Sequence, residues 1–448
     1  MRDIVINNFR CYEKKSIELR NGINLLIGDN SVGKTSLLRA CNLVINSFFS
    51  GYSDENTVWK SIDNDDFRIT GIAELPVEIS FHVGKEDFKT IVTQEGNLFE
   101  SGIEKELKIV KTSKKNSRNL VTGLGPLKDY ASLLQKNSHV LSNGSIEQLN
   151  DLPLYACFTT EDIHTVRKID KNRFKNYQQK PSFGYYESFD CKGLLEYWIK
   201  RLIVLKEAKK GEDEINTVRN AIIDALGPNG CNIINDIDIR YNDGKVYFYF
   251  IDGRESESEL LSDGYRRLVN IVMDIAFRCA LLNKTMYGDQ CYKYTHGTVI
   301  IDEIDEHLHP ALQVRVLKAL QKTFPKIQFI VSSHSPLVIS SVESGPENVV
   351  YKLEYDAKES VYTHRELNVY GMDASTIIEV FMDQSARDID IDNRIKIIRE
   401  LLDKGQIEDA KKSLKQLTDI SADGNPELTS LSTLISFFEN PYDTDTQK

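Results

Sequence analysis

Gly28-Asp29-Asn30-Ser31-Val32-Gly33-Lys34-Thr35 fits the G-x-x-x-x-G-K-[ST] phosphate loop with no mismatch. The glycines let backbone N–H groups close around phosphate oxygens. The following helix, opening at Ser36, presents its positive end to the same anion. Lys34 would reach the β- and γ-phosphates, and the Thr35 hydroxyl would ligate Mg²⁺. The flanks suit that use: Gly22-Ile23-Asn24-Leu25-Leu26-Ile27 reads as a buried strand, and Ser36-Leu37-Leu38-Arg39-Ala40 opens an amphipathic helix. A Gly/Ser-rich turn can match this pattern by chance, but strand and helix on either side weigh against that. A nucleoside triphosphate is the expected ligand.

Three more stretches carry groups of the right type. Gly297-Thr298-Val299-Ile300-Ile301-Asp302-Glu303 is an apolar strand ending in two carboxylates. Downstream of a phosphate loop, Asp302 is expected to hold Mg²⁺ and Glu303 to orient or deprotonate the attacking water. Ile327-Gln328-Phe329-Ile330-Val331-Ser332-Ser333-His334 is a second buried strand, and His334 at its end is placed to sense a γ-phosphate. Ser262-Asp263-Gly264, ahead of a helix expected over Leu268–Leu282, is another anion-binding turn in form. Alone it is also an ordinary cap. His307 and His309, one residue apart in a loop, do not have the pattern of a transition-metal site.

The elements that must position these groups follow from hydrophobic patterning. Ile4–Arg10 and Ser16–Leu19 read as strands leading into the phosphate loop, Val77–Val83 as a half-buried strand, and Leu152–Phe158 as a buried one. Residues 126–150 read as helical and polar, and 193–226 as one or two amphipathic helices. The strands at 237–241 and 246–250 flank Asn242-Asp243-Gly244, a hairpin signal. Two groups could touch nucleic acid: Lys108, Lys111, Lys114, Lys115 and Arg118, and the stretch Arg167, Lys168, Lys171, Arg173, Lys175, Tyr177, Phe183, Tyr185, Tyr186. A solvated loop for the first and an interdomain surface or partner contact for the second are the plainer accounts.

Lys and Arg number 56 against 67 Asp and Glu, a formal net charge of −11, which argues against a generally basic nucleic-acid coat. The seven cysteines are scattered with no C-x-x-C pair, which fits a reducing cytosol rather than a disulfide framework. No apolar run approaches a membrane span, and the first residues read as a strand rather than a signal peptide. A cytoplasmic location with no membrane partner is expected.

The ordered set GDNSVGKT, LSDGYRR, VIIDEIDEHLHP and FIVSSHSP resembles an ABC-type ATPase of the SMC/RecF branch. The resemblance implies an α/β fold. An ABC-type P-loop head would be formed by 1–48 and 150–352, with a compact α+β insertion at 49–149 and a helical, partner-binding tail at 353–448. It implies ATP and Mg as cofactors and two heads stacked head to tail. Residues 28–36 of one copy would then face Ser262 and Gly264 of the other, with Asp305 at that interface and His334 as the switch histidine. Asp263 departs from the commoner Leu-Ser-Gly-Gly-Gln signature. The Q-loop glutamine stays open among Gln94, Gln135, Gln178 and Gln179.

Between Thr35 and Ser262 the chain has Pro, Gly and aromatics and no sustained heptad, which excludes an SMC rod. Too few residues follow His334 for a Toprim nuclease with further helices, so no intrinsic nuclease is expected. The tail, with Asn368-Val369-Tyr370-Gly371, helices over Ile395–Asp403 and Gly405–Leu417 and a last one near Leu431–Glu439, resembles that of PtuA-type ATPases. Those are paired with HNH nucleases in Septu defence and related retron systems. That resemblance implies an ATP-hydrolysing subunit that regulates an HNH nuclease and meets nucleic acid through the complex. A RecF-like repair ATPase and a nucleotide-sensing scaffold holding a toxin inactive are the alternatives.

Overall fold

The computed structural model describes the chain apart from residues 70–73, 85–90, 93–97, 100–105, 114–121, 141–145, 161–178, 192, 383, 386–387, 422–424 and 440–448. Two compact units result, Met1–Ala374 and Ser375–Lys448. The first begins with a hairpin of β1 (Asp3–Phe9) and β2 (Tyr12–Glu18), then β3 (Ile23–Ile27) and α1 (Lys34–Asn46). Strands β4 (Val77–His82) and β5 (Leu107–Lys111) follow, then α2 (Gly125–Lys136) and β6 (Leu154–Phe158). A helical lobe holds α3 (Leu195–Glu207), α4 (Glu212–Leu226), the meander β7 (Ile234–Arg240), β8 (Lys245–Phe250), β9 (Glu255–Glu257), and α5 (Asp263–Tyr287). The unit closes with β10 (Gly297–Ile301), α6 (Val316–Thr323), β11 (Ile327–Ser332), β12 (Val349–Asp356) and β13 (Val361–Leu367).

Two sheets organise it. The larger has the order β6-β10-β11-β3-β12-β13, with the first five strands parallel and β13 antiparallel at the edge. Strands β3, β6 and β11 are buried along their whole length, as continuous apolar runs in a parallel sheet must be. Because neighbours run the same way, the loops after β3, β10 and β11 all leave from one edge, where ligands bind in open α/β sheets. The smaller sheet is antiparallel, in the order β2-β1-β4-β5. Residues 77–82 and 107–111, expected in an insertion, therefore pair with the N-terminal hairpin. The boundary expected at 352/353 falls inside β12.

The helical lobe is fixed by buried polar networks as well as by packing. Trp198 stacks on Phe277 at 4.8 Å, and its indole N–H donates to Asp274 Oδ1 at 2.7 Å. Arg201 Nε donates to Glu214 Oε2 at 2.8 Å with both side chains fully buried. Breaking one partner of such a pair leaves an uncompensated buried charge and costs about 3–5 kcal/mol. These contacts hold α5, which is longer than the Leu268–Leu282 stretch expected.

Three expectations change. Residues 126–150 are not one helical stretch: α2 ends at Lys136, and Ser138–Val140 pairs with Ile146–Gln148. The cysteines are not all unpaired. Backbone bonds Cys157 N–H to Ser188 O and Thr159 N–H to Cys191 O lay residues 188–191 beside β6, and Cys157 and Cys191 form a disulfide with Cα atoms 4.4 Å apart. Of the basic and aromatic side chains that could meet nucleic acid, several described ones are engaged within the chain. Lys108 pairs with Glu78 at 3.2 Å, and Lys111 Nζ donates to Ile62 O at 2.6 Å. Phe183 and Tyr185 are core residues, and the Tyr185 hydroxyl donates to Pro153 O at 2.9 Å. Lys114, Lys115, Arg118, Arg167, Lys168, Lys171, Arg173, Lys175 and Tyr177 lie outside the described residues.

The second unit contains α7 (Ile389–Asp403), α8 (Ile407–Ile420) and α9 (Pro426–Glu439). Ile395, Ile398, Leu402, Ala410, Leu414, Leu417, Leu428, Leu431 and Ile435 recur at helical spacing and form its core. Asp388 caps α7 by accepting from Asp390 N–H at 2.9 Å. Among the described residues no helix of the chain is long and apolar enough to cross a membrane.

Candidate nucleotide site

The loop after β3 bends through three left-handed residues, Gly28 (φ 142°), Ser31 (φ 70°) and Gly33 (φ 95°), before α1 begins at Lys34. The space is as restrictive as the dihedral at two of them. A Cβ on Gly33 would land 2.4 Å from the Tyr12 hydroxyl oxygen, and one on Gly28 would land 2.4 Å from Leu353 O. Tyr12, itself buried, donates its hydroxyl to Gly33 O at 2.9 Å and so braces the loop from β2. Asp29, Asn30, Ser31 and Thr35 are exposed, Ser36 is half-buried, and Val32 packs inward.

Lys34 is only 7% exposed, and its Nζ curls back to donate to Gly28 O at 2.7 Å and Asp29 O at 2.8 Å. Burial lowers its pKa, against the opposing pull of Asp302, Glu303, Asp29 and Asp305. It is a cation held by carbonyl dipoles at the mouth of a turn of N–H groups, the environment an anion would complete.

Asp302 and Glu303 leave the end of β10 directly opposite. The Thr35 hydroxyl lies 3.4 Å from Asp302 Oδ2, and Ser332, ending the neighbouring strand β11, donates to Asp302 Oδ1. The Ser332 hydroxyl also accepts from Glu303 N–H at 2.8 Å, so one side chain positions both acids. Glu303 takes a left-handed φ of 49°, which turns its carboxyl away from the strand direction. Burial, then the charge of Asp302, raises its pKa, while His334 pulls it down. That direction suits a base that must accept a proton.

Asp305 and His334 are tied together. Asp305 Oδ1 accepts from the Ser333 hydroxyl at 2.6 Å and from His334 N–H at 3.3 Å. Gln313 joins the same two segments: its Nε2 donates to Leu308 O at 2.8 Å, and its Oε1 accepts from the Ser335 hydroxyl at 2.7 Å. Ser262 and Asp263 are exposed at the start of α5, and Gly264 packs against the backbone of His307. The structure thus brings together residues 28–36, Asp302, Glu303, Asp305 and His334 along one sheet edge. Ser262 and Gly264 sit beyond the turn that follows Glu303.

The donor set fits a nucleoside triphosphate with Mg²⁺. Thr35 and Asp302 are hard oxygen ligands within reach of one ion, and Mg²⁺ takes one or two protein ligands plus phosphate oxygens. Among the described residues no cluster of three or more His, Cys, Asp and Glu side chains suits a metal. Sequence reasoning missed Ser332 as a positioning group, Gln313, Tyr12 and Arg267. Only Ser332 carried a signal, as a small hydroxyl residue at a strand end. Of the Q-loop candidates, Gln135 brackets Ser53 with two backbone bonds, while Gln94 and Gln178 lie outside the described residues.

The "Retron Vc95 probable ATPase" of Vibrio cholerae serotype O1 biovar El Tor is 36% identical over 162 residues, covering 36% of this chain and 31% of that protein. "Septu protein PtuA" of Bacillus mycoides (strain KBAB4) is 33% identical over 153 residues, covering 34% and 20%. The alignments thus span a third or less of these relatives, which are of the kind the motifs and tail resembled. Among solved structures, the SMC head domain from Thermotoga maritima superposes with a TM-score of 0.41 at 13% identity, covering 82% of this chain and 99% of that one. Residues 23–340, well over half of the chain and including every motif from the phosphate loop to His334, match the family described as "AAA domain, putative AbiEii toxin, Type IV TA system", and the chain belongs to that family.

Proposed function

We propose that this chain binds and hydrolyses ATP with Mg²⁺, and that turnover regulates an HNH nuclease subunit in an anti-phage defence complex. The convergence of Lys34, Thr35, Asp302 and Glu303 on one sheet edge carries the ATPase reading. Mg·ATP, when bound, supplies the transferable phosphoryl group and the divalent charge beside it. Lys34 exchanges its two carbonyl acceptors for phosphate oxygens. Thr35 and Asp302 hold the ion, Glu303 accepts the proton of the attacking water, and His334 donates toward the oxygens that gain charge. The Ser262–Gly264 turn of a second copy, exposed at Ser262 and Asp263, completes the site from outside together with Asp305. The chain itself needs no nuclease centre on this reading.

The partner reading rests on similarity to Septu protein PtuA and the retron ATPase, with the helical part of 353–448 as the docking element and nucleic acid met through the complex, in the cytoplasm. Two measurements test it. Purified chain should release phosphate from ATP only with Mg²⁺, and Glu303→Gln should lower kcat by about 10²–10⁴-fold while keeping nucleotide affinity. Wild-type turnover in Glu303→Gln would remove Glu303 from catalysis. Affinity purification from the native operon should bring down a stoichiometric HNH protein, whereas a chain recovered alone on DNA ends or gaps would favour repair.

A further inference from the structure

Arg267 lies on the second turn of α5, five residues after Ser262, and is 0% exposed. Its guanidinium is aimed at the turn that leaves β10. One terminal nitrogen, NH2, donates to Asp302 O at 2.8 Å and to Glu303 O at 3.0 Å. The other, NH1, pairs with Glu306 Oε2 at 2.7 Å. Its Nε is a buried donor with no partner among the described residues. The same turn touches the start of α5 directly, since a Cβ on Gly264 would sit 2.4 Å from His307 O.

The choice of acceptors matters. The carbonyls of Asp302 and Glu303 belong to the two peptide planes that flank Glu303, so holding them sets the direction in which its carboxyl leaves the backbone. Glu303 occupies the left-handed region, a conformation that persists only where surrounding contacts over-determine it. From the sheet side, Ser332 supplies those contacts: its hydroxyl takes Glu303 N–H, and its carbonyl takes Ile304 N–H at 3.1 Å. From the opposite side Arg267 supplies them, and it belongs to the helix that starts at the Ser262–Gly264 turn. A planar fork can span two carbonyls and a carboxylate at once, which a lysine ammonium cannot do in a fixed plane.

We infer that Arg267 is a positioning residue for hydrolysis: it clamps the Asp302–Glu306 turn so that Glu303 is aimed for proton transfer, and it makes that aim depend on the seating of the 262–264 turn. This rests on the ATPase reading above. Arg267 touches neither Lys34 nor Thr35 in any contact of the structure, so its loss should act on kcat and leave nucleotide binding in place.

The test compares wild type, Arg267→Gln, Arg267→Lys, Glu306→Gln and Glu303→Gln by steady-state ATP hydrolysis, equilibrium binding of a fluorescent ATP analogue and melting temperature. Arg267→Gln should lower kcat about 100-fold, the scale of an angstrom-level misplacement of a catalytic group. Arg267→Lys should recover part of that. Glu306→Gln, which leaves the guanidinium present but loosens one arm, should cost about threefold to fivefold. Analogue affinity should stay within about threefold throughout. Wild-type kcat in both Arg267→Lys and Glu306→Gln overturns the inference. So does a loss of affinity in parallel with turnover, because that is what general loosening of the lobe would produce. If wild type itself turns over no faster than Glu303→Gln, the ATPase reading falls and this inference falls with it.

Discussion

Helices α1 and α5 each begin at a glycine-containing turn with the form of an anion site, yet the two turns are built in opposite ways. The turn before α1 is closed from within: Gly33 is left-handed, Tyr12 fills the space behind it, and Lys34 folds back onto two carbonyls of its own loop. The turn before α5 is open. Ser262 is the N-cap residue but makes no side-chain cap bond, and both it and Asp263 face solvent. Gly264 is helical rather than left-handed, and its lack of a side chain serves contact with His307. A self-contained cradle and an exposed turn are the two halves that the proposed shared nucleotide site would require.

The largest expected effect falls on the closed half. Lys34→Ala removes charge-assisted bonds to phosphate worth about 3 kcal/mol, so ATP affinity should drop about 100-fold by calorimetry. Stability without nucleotide should not fall, because the buried ammonium is already disfavoured there. Undiminished binding would mean that Lys34 serves only to knit its own loop.

Gly264→Val probes the open half. Its branched side chain must displace the His307 backbone, at a cost of about 1–3 kcal/mol of stability. Nucleotide affinity should stay within about threefold while turnover drops by about tenfold or more. Ser262→Ala is the gentler version. A capping serine usually contributes about 0.5–2 kcal/mol to its helix. Ser262 makes no such bond, so its loss should change the melting temperature little while still lowering turnover. A marked drop in stability would show that Ser262 caps its own helix and is not free for a ligand.

What could be read in advance follows the same division between local and distant. The phosphate loop, the acid-ended strand and the strand before His334 are contiguous segments whose patterning declares both element and use, and Asn242-Asp243-Gly244 marked its hairpin for the same reason. The alignment of Asp302 with Thr35 was implied only through a motif. The structure supplies it by laying β11 between β10 and β3. Arg267, Ser332 and Gln313 act through side-chain partners 22 or more residues away or through backbone carbonyls, and no local pattern marks Arg267 or Gln313 apart from ordinary helix residues. The Cys157–Cys191 pair was hidden likewise, since it depends on a return of the chain beside β6. Residues 77–111 join the N-terminal hairpin because strand pairing follows exposed edges, which a linear reading cannot rank.

The smallest effect concerns the acid at the junction of the two halves. Glu303 has a pKa raised above its ordinary 4.5, chiefly by burial and next by the charge of Asp302. In the folded chain its ionised form is therefore disfavoured relative to the unfolded chain, which binds fewer protons between the two pKa values. Stability attributable to this group declines as pH rises through that window, and the penalty is fully present above the folded value. Glu303→Gln removes the penalty and should melt slightly higher than wild type at neutral pH. The gap should close as pH falls below the ordinary carboxylate range. Turnover of wild type should show the same group from the other side, with an acid limb displaced above 4.5 that reports Glu303 losing its capacity to accept a proton. Equal melting temperatures across the whole range, with no displaced limb, would mean that Glu303 is as well solvated as a surface carboxylate. The turn that Arg267 and Ser332 clamp would then hold it in place without tuning it.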